Sequence, residues 1–202
     1  MLDYRQERDF CKAVERSVIS IGLLHYPVYN KHKEIVTTSI TTSSLHDISR
    51  TARTFGVEGF YIITPIQAHG QLVERLIQHW QTGYGAQYNP TRRDALENVV
   101  VVSSLGECLE GLKKKYGREP VKIVTCARRQ SNTVSYQELR ERMRRDRQLY
   151  FIIFGTGWGI EQSLMETMDF TIEPIYGQGR YNHLSVRAAV AIILDRLINE
   201  NR

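Results

Sequence analysis

Three glycines in five positions, Gly155-Thr-Gly-Trp-Gly159, follow directly on the apolar run Tyr150-Phe-Ile-Ile-Phe154. Lacking Cβ atoms, such glycines let backbone amides and carbonyls come up against a flat ligand. The spacing excludes two phosphate-binding devices. A dinucleotide fingerprint needs G-x-G-x-x-G opening the first βα unit, with an acid about 20 residues on. This loop follows the fifth strand-like run and is spaced differently. No G-x-x-x-x-G-K-[ST] occurs either, which removes a P-loop. A tight turn serving helix packing is the structural alternative for these glycines.

Two further segments have the composition of binding loops. Residues 172–186 run from a strand-like stretch through Gly177, Gly179 and Arg180 to Asn182, His183 and Leu184. They lead into a helix capped by Asn182 or Ser185, with small residues Ala188, Ala189 and Ala191 on one face. Thr125-Cys-Ala-Arg-Arg129 closes the run 121–126. Ligands of open α/β sheets bind beyond the carboxyl ends of the strands. Three such loops together predict an enclosure for one nucleoside-sized ligand. Trp158 then packs against that ligand or over its mouth, or else caps the glycine turn from the core.

Net charge is a mild +5, but it is unevenly spread. Arg140, Arg142, Arg144, Arg145 and Arg147 sit within eight residues, with Arg128 and Arg129 upstream and the pair Arg92 and Arg93 after Tyr88-Asn-Pro-Thr91. The guanidinium fork suits phosphate oxygens and stacked bases. Arg128, Arg129, Arg142, Arg144 and Arg145, with Arg180 and Arg187, are the candidate nucleic-acid contacts. A solvated helix face explains the run equally well. Cys11, Cys108 and Cys126 lie far apart without a CxxC pair, and six histidines show no ligand spacing, so no metal site is expected.

These residues need a scaffold. At 42% hydrophobic and 24% charged the chain can bury a core. No apolar run approaches the roughly 20 residues that cross a bilayer, and residues 1–16 lack a signal peptide's apolar stretch. A cytoplasmic protein is expected. Strand-like runs recur at 17–25, 59–64, 99–102, 121–126, 150–154 and 171–175. Helical patterns lie between and after them, at 45–55, 67–81 (Leu72, Leu76 and Trp80 four apart), 105–116, 135–145 and 184–199. The all-apolar runs 99–102 and 150–154 read as strands buried on both faces, which predicts an α/β fold with a mostly parallel sheet of five or six strands and helices on both faces. Residues 1–16 read as a helical extension, 17–202 as a single domain and 83–93 as a loop.

The motifs, taken in order, resemble those of the SPOUT superfamily of RNA methyltransferases. The resemblance rests on Ile153-Phe-Gly-Thr-Gly-Trp-Gly159, then Ile172-Glu-Pro174, then His183-Leu-Ser-Val-Arg-Ala-Ala-Val-Ala-Ile192. Upstream, Arg50-Thr-Ala-Arg-Thr-Phe-Gly56 is similar to the superfamily's first motif. The whole chain looks closest to a small bacterial branch related to the C-terminal part of tRNA guanine-N1 methyltransferases. The resemblance implies a C-terminal trefoil knot, a homodimer, an RNA substrate, and S-adenosylmethionine bound in the knot near the dimer interface. Carried over by position, the cofactor pocket is Thr125, Phe154, Gly155, Thr156, Gly157, Trp158, Gly159, Ile175, Gly177, His183 and Leu184. Arg50 and His183 become the catalytic candidates.

Three stretches depart from the family pattern. Thr41-Thr-Ser-Ser44 stands where ribose methylators carry asparagine, His183-Leu-Ser-Val-Arg187 replaces Ser-Leu-Asn-Val-Ser, and the acid after the glycine loop is displaced to Glu161. These leave base against ribose methylation open. They also leave room for a non-catalytic knotted module that binds the cofactor or RNA. A Rossmann-like nucleotide-binding protein is a more distant alternative.

Overall fold

The structure is a computed structural model that describes residues 17–82, 84–179 and 181–199. In chain order the elements are β1 (Val18–Leu24), β2 (Val28–Tyr29), β3 (Ile35–Val36), α1 (Thr42–Thr54), β4 (Gly59–Ile63), α2 (Gln67–Gln81), α3 (Tyr84–Tyr88), α4 (Pro90–Leu96) and β5 (Val99–Val102). They continue with α5 (Leu105–Tyr116), β6 (Val121–Thr125), β7 (Thr133–Val134), α6 (Tyr136–Asp146), β8 (Leu149–Gly155), α7 (Gln162–Glu166), β9 (Phe170–Ile172) and α8 (Val186–Ile198).

Seven of the strands make one parallel sheet in the order β5-β4-β1-β8-β6-β9-β7, and β2 and β3 pair antiparallel as a separate hairpin. The α/β class and parallel sheet are as expected, with seven strands rather than five or six. The additional strand, β7, is a two-residue pairing on β9 that no periodicity marks. At the centre β1 and β8 pair along their whole length, from Val18 opposite Leu149 to Leu24 opposite Gly155. Residues Leu149 to Phe154 are buried without interruption, because helices cover both faces of this strand.

Alternate residues of the strands feed two apolar layers. Ile21, Phe60, Ile123, Tyr150, Ile152 and Phe154 pack with the buried faces of α1, α2, α4, α6 and α8. Leu24, Tyr61, Ile63, Val124, Phe151 and Ile153 pack with α5 and with Met165 and Met168 at α7. Helix starts follow local chemistry. Ser104, Ser135 and Ser185 cap α5, α6 and α8 through their side chains, and Glu138 completes a capping box at α6. No helix among the described residues is long and apolar enough to cross a membrane.

Several expectations change. Residues 99–102 are the sheet's edge strand, paired only with β4, and Val100 is 42% exposed. An apolar run records β-propensity whether its second face is covered or open. Segment 83–93 is not a loop where described but two short helices. Asn89 accepts from the Arg92 amide at 3.0 Å, Pro90 occupies the first turn, and the Arg92 guanidinium lies 4.3 Å over the Trp80 ring. On α2 the fully buried residue is Val73, while Leu72 is half-exposed. The β2–β3 hairpin and α7 had no counterpart in the sequence reading. The helical extension expected over 1–16, with Cys11, lies outside the described residues, as does Arg180.

Ile152 sits fully buried at the centre of β8. Ile152→Ala should cost roughly 2–5 kcal/mol of unfolding free energy, read from the denaturant midpoint at unchanged m-value.

Candidate active site

Parallel strands β8, β6 and β9 are sheet neighbours, so their carboxyl ends deliver the loops 155–161, 126–132 and 173–185 to one edge. The three segments singled out by composition therefore do converge. The Asn182 side-chain amide donates to the Ala127 carbonyl at 2.8 Å, tying the third loop to the second.

The glycine loop is held from the other side by residues 25–38. Tyr29 and the loop exchange two backbone bonds, Tyr29 N to Gly159 O and Trp158 N to Tyr29 O, both 2.8 Å. A bridge between Val28 and Ile160 and a bond from Glu161 N to Pro27 O extend the pairing. Gly157 has φ +58, and a Cβ there would stand 2.8 Å from the Tyr29 carbonyl oxygen. Gly159 has φ +111. Only glycine holds this path without strain. Thr156 donates to the Leu24 carbonyl at 2.9 Å and meets the Thr38 hydroxyl, which lies 3.0 Å from His25 Nδ1. His25 is 2% exposed, and its Nε2 is buried without a hydrogen-bond partner among the described residues.

The expected pocket residues thus divide by what their side chains are free to do. Phe154 is buried in the core, and the hydroxyls of Thr125 and Thr156 are engaged with the carbonyls of Ile153 and Leu24. Phe154 can offer a ligand backbone groups only, and the two threonine hydroxyls have spent their one hydrogen and remain acceptors. Ile175 packs at the margin of the core. Trp158 is 67% exposed, which rules out its reading as a core aromatic. His183 and Leu184 are exposed, and the His183 ring stands edge-on to Tyr181 at 5.5 Å. Between described residues, no backbone N–H from Ile175 to Leu184 donates to a backbone carbonyl, and a Cβ at Gly177 would meet nothing within 4 Å.

The departures from the family pattern acquire structural roles. Thr41 caps α1, accepting from the Ser44 amide at 3.3 Å. Glu161 caps α7 and accepts from the Ser163 and Leu164 amides; the Ser163 hydroxyl and amide hold its carboxyl below the usual range. Arg187 pairs with Asp47 at 2.6 Å, fastening α8 to α1. Arg50 lies one turn further along α1, in a shallow groove with Asp47, Thr51, Thr54, Phe55 and Ala191. It stands about 12 Å along the helix axis from the start of α1.

The candidate arginines do not form one patch. Arg128 and Arg129 are exposed on the loop after β6, at the carboxyl-end edge. Helix α6 runs back to the amino ends of the strands, where Arg142 covers the Phe170 ring at 5.0 Å and Arg145 pairs with Asp146. Arg144 is exposed on the same last turn. Sequence reasoning missed residues 26–38 altogether. The one available signal was Asn30 at the head of a polar tetrapeptide, an ordinary turn signature.

Comparison with known proteins settles the family. The profile described as SAM-dependent RNA methyltransferase matches residues 18–199. The chain belongs to that family. It is 45% identical over 184 residues to an uncharacterized protein of Aquifex aeolicus, covering 91% of this chain and 90% of the relative. It is 39% identical to a tRNA (guanine-N(1)-)-methyltransferase of Oleidesulfovibrio alaskensis, covering 89% of this chain but 41% of the relative, so it spans less than half of that protein. The SpoU methyltransferase AviRb of Streptomyces viridochromogenes, solved with AdoMet, superposes with a TM-score of 0.56 at 12% identity, covering 92% of this chain and 58% of that one. That likeness is one of fold, and the fold is the SPOUT fold. The cofactor of the family is S-adenosylmethionine and its substrate class is RNA.

The loops fit such a cofactor. Between described residues, the unspent backbone donors and acceptors of 175–179 and 181–184, open space at Gly177 and apolar Leu184 match an adenosine recognised by main-chain hydrogen bonds. Gly157→Ala should lower S-adenosylmethionine affinity by about tenfold or more, measured calorimetrically, because the loop must move to clear Tyr29.

His25 makes stability pH-dependent. Burial, with nearby His69 second, pushes its pKa down to about 4 from 6.5. Between those values the unfolded chain binds more protons than the folded one, so stability is full above about pH 6.5 and falls toward pH 4, by at most about 1.4 kcal/mol per unit. Denaturant unfolding at a series of pH values should show this slope, and His25→Gln should flatten it.

Proposed function

We propose that the chain methylates a nucleotide of tRNA or rRNA at the carboxyl-end edge of β8, β6 and β9. The observation that carries this reading is the delivery of three loops to that edge, the last of them with its main-chain groups largely unspent between described residues, within a chain matched by the methyltransferase family over residues 18–199. In this reading the main chain of 155–159 and 175–184 holds the cofactor, with Leu184 against its apolar surface. Residues 17–202 act as one domain. The Asn182–Ala127 bond and the wedging of α8 against α1 and α6 support a C-terminal segment threaded as a trefoil knot.

Bound S-adenosylmethionine supplies a methyl group on a sulfonium, open to in-line displacement. The protein's part is to orient the acceptor and manage its proton. His183, exposed at the third loop, is the candidate base for a hydroxyl or ring N–H. Arg128 and Arg129 hold phosphates near the reacting nucleotide, and the arginines at the end of α6 contact a flanking stretch. Arg50 is some way from the glycine loop of its own chain, on the α1–α8 surface where Ala191 leaves the backbone approachable. A homodimer seated on that surface brings Arg50 toward the site of the second copy. The protein acts in the cytoplasm, where its RNA is.

Radiolabelled methyl transfer to total RNA from cells lacking the protein tests the activity, and the nucleoside that gains label identifies the target. Arg50→Ala should reduce transfer on the order of a hundredfold while S-adenosylmethionine affinity stays within about twofold. Unchanged transfer would remove Arg50 from the mechanism. Cofactor binding without transfer to any RNA would leave a binding module.

A further inference from the structure

We infer that the β2–β3 hairpin, together with Trp158, is an RNA-contacting surface that seats an unpaired stretch of the substrate beside the methyl-transfer site. The inference rests on the RNA methyltransferase reading and adds to it a place and a mode of recognition. The hairpin pairs Val28 with Val36 and Tyr29 with Ile35, and its turn presents Lys31, His32 and Lys33, all exposed.

The turn is built to hold that shape. Asn30 Oδ1 accepts from the amides of His32 at 2.8 Å and Glu34 at 3.0 Å, while its Nδ2 donates to the Glu34 carboxylate at 2.7 Å. Asn30 N donates to Glu34 O at 3.0 Å and Lys33 N to Asn30 O at 3.1 Å. The Glu34 charge is thereby occupied at the base of the turn. Lys33 has φ +64, a conformation that favours glycine, yet the position carries an ammonium. Neither Lys31 nor Lys33 makes an ion pair among the described residues.

Two features relate this basic turn to the reaction. The first is its attachment to the glycine loop, through the Tyr29 backbone bonds and the Tyr29 hydroxyl, which accepts from the Gln162 amide at 3.2 Å. Lys31 is two residues from Tyr29, at most about 7 Å of chain. The second is Trp158, a large indole 67% exposed, its amide bonded to the Tyr29 carbonyl at 2.8 Å between two glycines of positive φ. A rigid aromatic face beside fixed cations is the combination that binds single-stranded nucleic acid. The cations neutralise phosphates, and the ring stacks on a base whatever its identity. A paired helix would offer Trp158 no base face, so the surface selects loops or unpaired ends.

The test uses the full chain and an unstructured oligo(U) of about a dozen nucleotides, with a duplex of equal length as control. Lys31→Ala/Lys33→Ala should weaken oligo(U) binding about tenfold at low salt. It should also flatten the plot of log affinity against log salt by about 1.4, two contacts at about 0.7 each. S-adenosylmethionine titration of the same variant should match the wild type, showing the fold intact. Oligo(U) should quench tryptophan emission in the wild type and not in Trp158→Phe, because Trp80, the other tryptophan, lies beneath Arg92. Unchanged affinity and salt slope, or quenching that survives Trp158→Phe, overturns the hairpin surface while wild-type RNA binding and methyl transfer stand. A wild-type chain that binds S-adenosylmethionine but neither RNA nor the duplex, and transfers no methyl group, overturns the underlying reading and this one with it.

Discussion

Parallel pairing constrains everything else in this molecule. When strands run side by side in one direction, each connection must return across a face of the sheet, and every carboxyl end emerges at the same edge. The full-length pairing of β1 with β8, buried on both faces, fixes that direction for the rest. Helices α1, α2, α4, α6 and α8 then form one covering layer, with α5 and α7 on the other face. The loops after β8, β6 and β9 therefore leave the sheet at one edge.

What makes the meeting place a site is the treatment of the backbone there. The glycine loop gives the Trp158 amide and the Gly159 carbonyl to Tyr29 and the Thr156 hydroxyl to the Leu24 carbonyl, which fixes its path. The last loop spends almost none of its main-chain groups between described residues, which leaves them for a ligand. One loop is a wall and the other is a set of donors and acceptors. A buried neutral histidine, His25, stands behind the wall and reaches it through Thr38.

Charge is distributed with similar economy. Arginines that look continuous in the chain are parted by the length of α6, with Arg128 and Arg129 near the carboxyl-end edge of the sheet and Arg142, Arg144 and Arg145 at the opposite one. Arg187, placed by sequence among the phosphate contacts, is held by Asp47 between two helices. An RNA that met all of these groups would have to run along the molecule rather than sit at one end.

The amino-acid sequence alone specified the α/β class, most strand and helix cores, the two glycine-bearing loops and the loop at Thr125 to Arg129, because these are written in local periodicity, caps and residue size. It also carried enough motif order for the methyltransferase family to be legible, from Arg50 to Ile192. It did not determine that Val99 to Val102 is an edge, that Trp158 stands in solvent, or that Thr125 and Thr156 turn their hydroxyls inward. Those depend on which strand lies next to which, a matter of contacts between residues far apart in the chain. The hairpin at 28–36 is the clearest case. Each of its strands is two residues long, too short for any period to show. It exists because the glycine loop, more than a hundred residues away in the chain, supplies the hydrogen bonds that hold it.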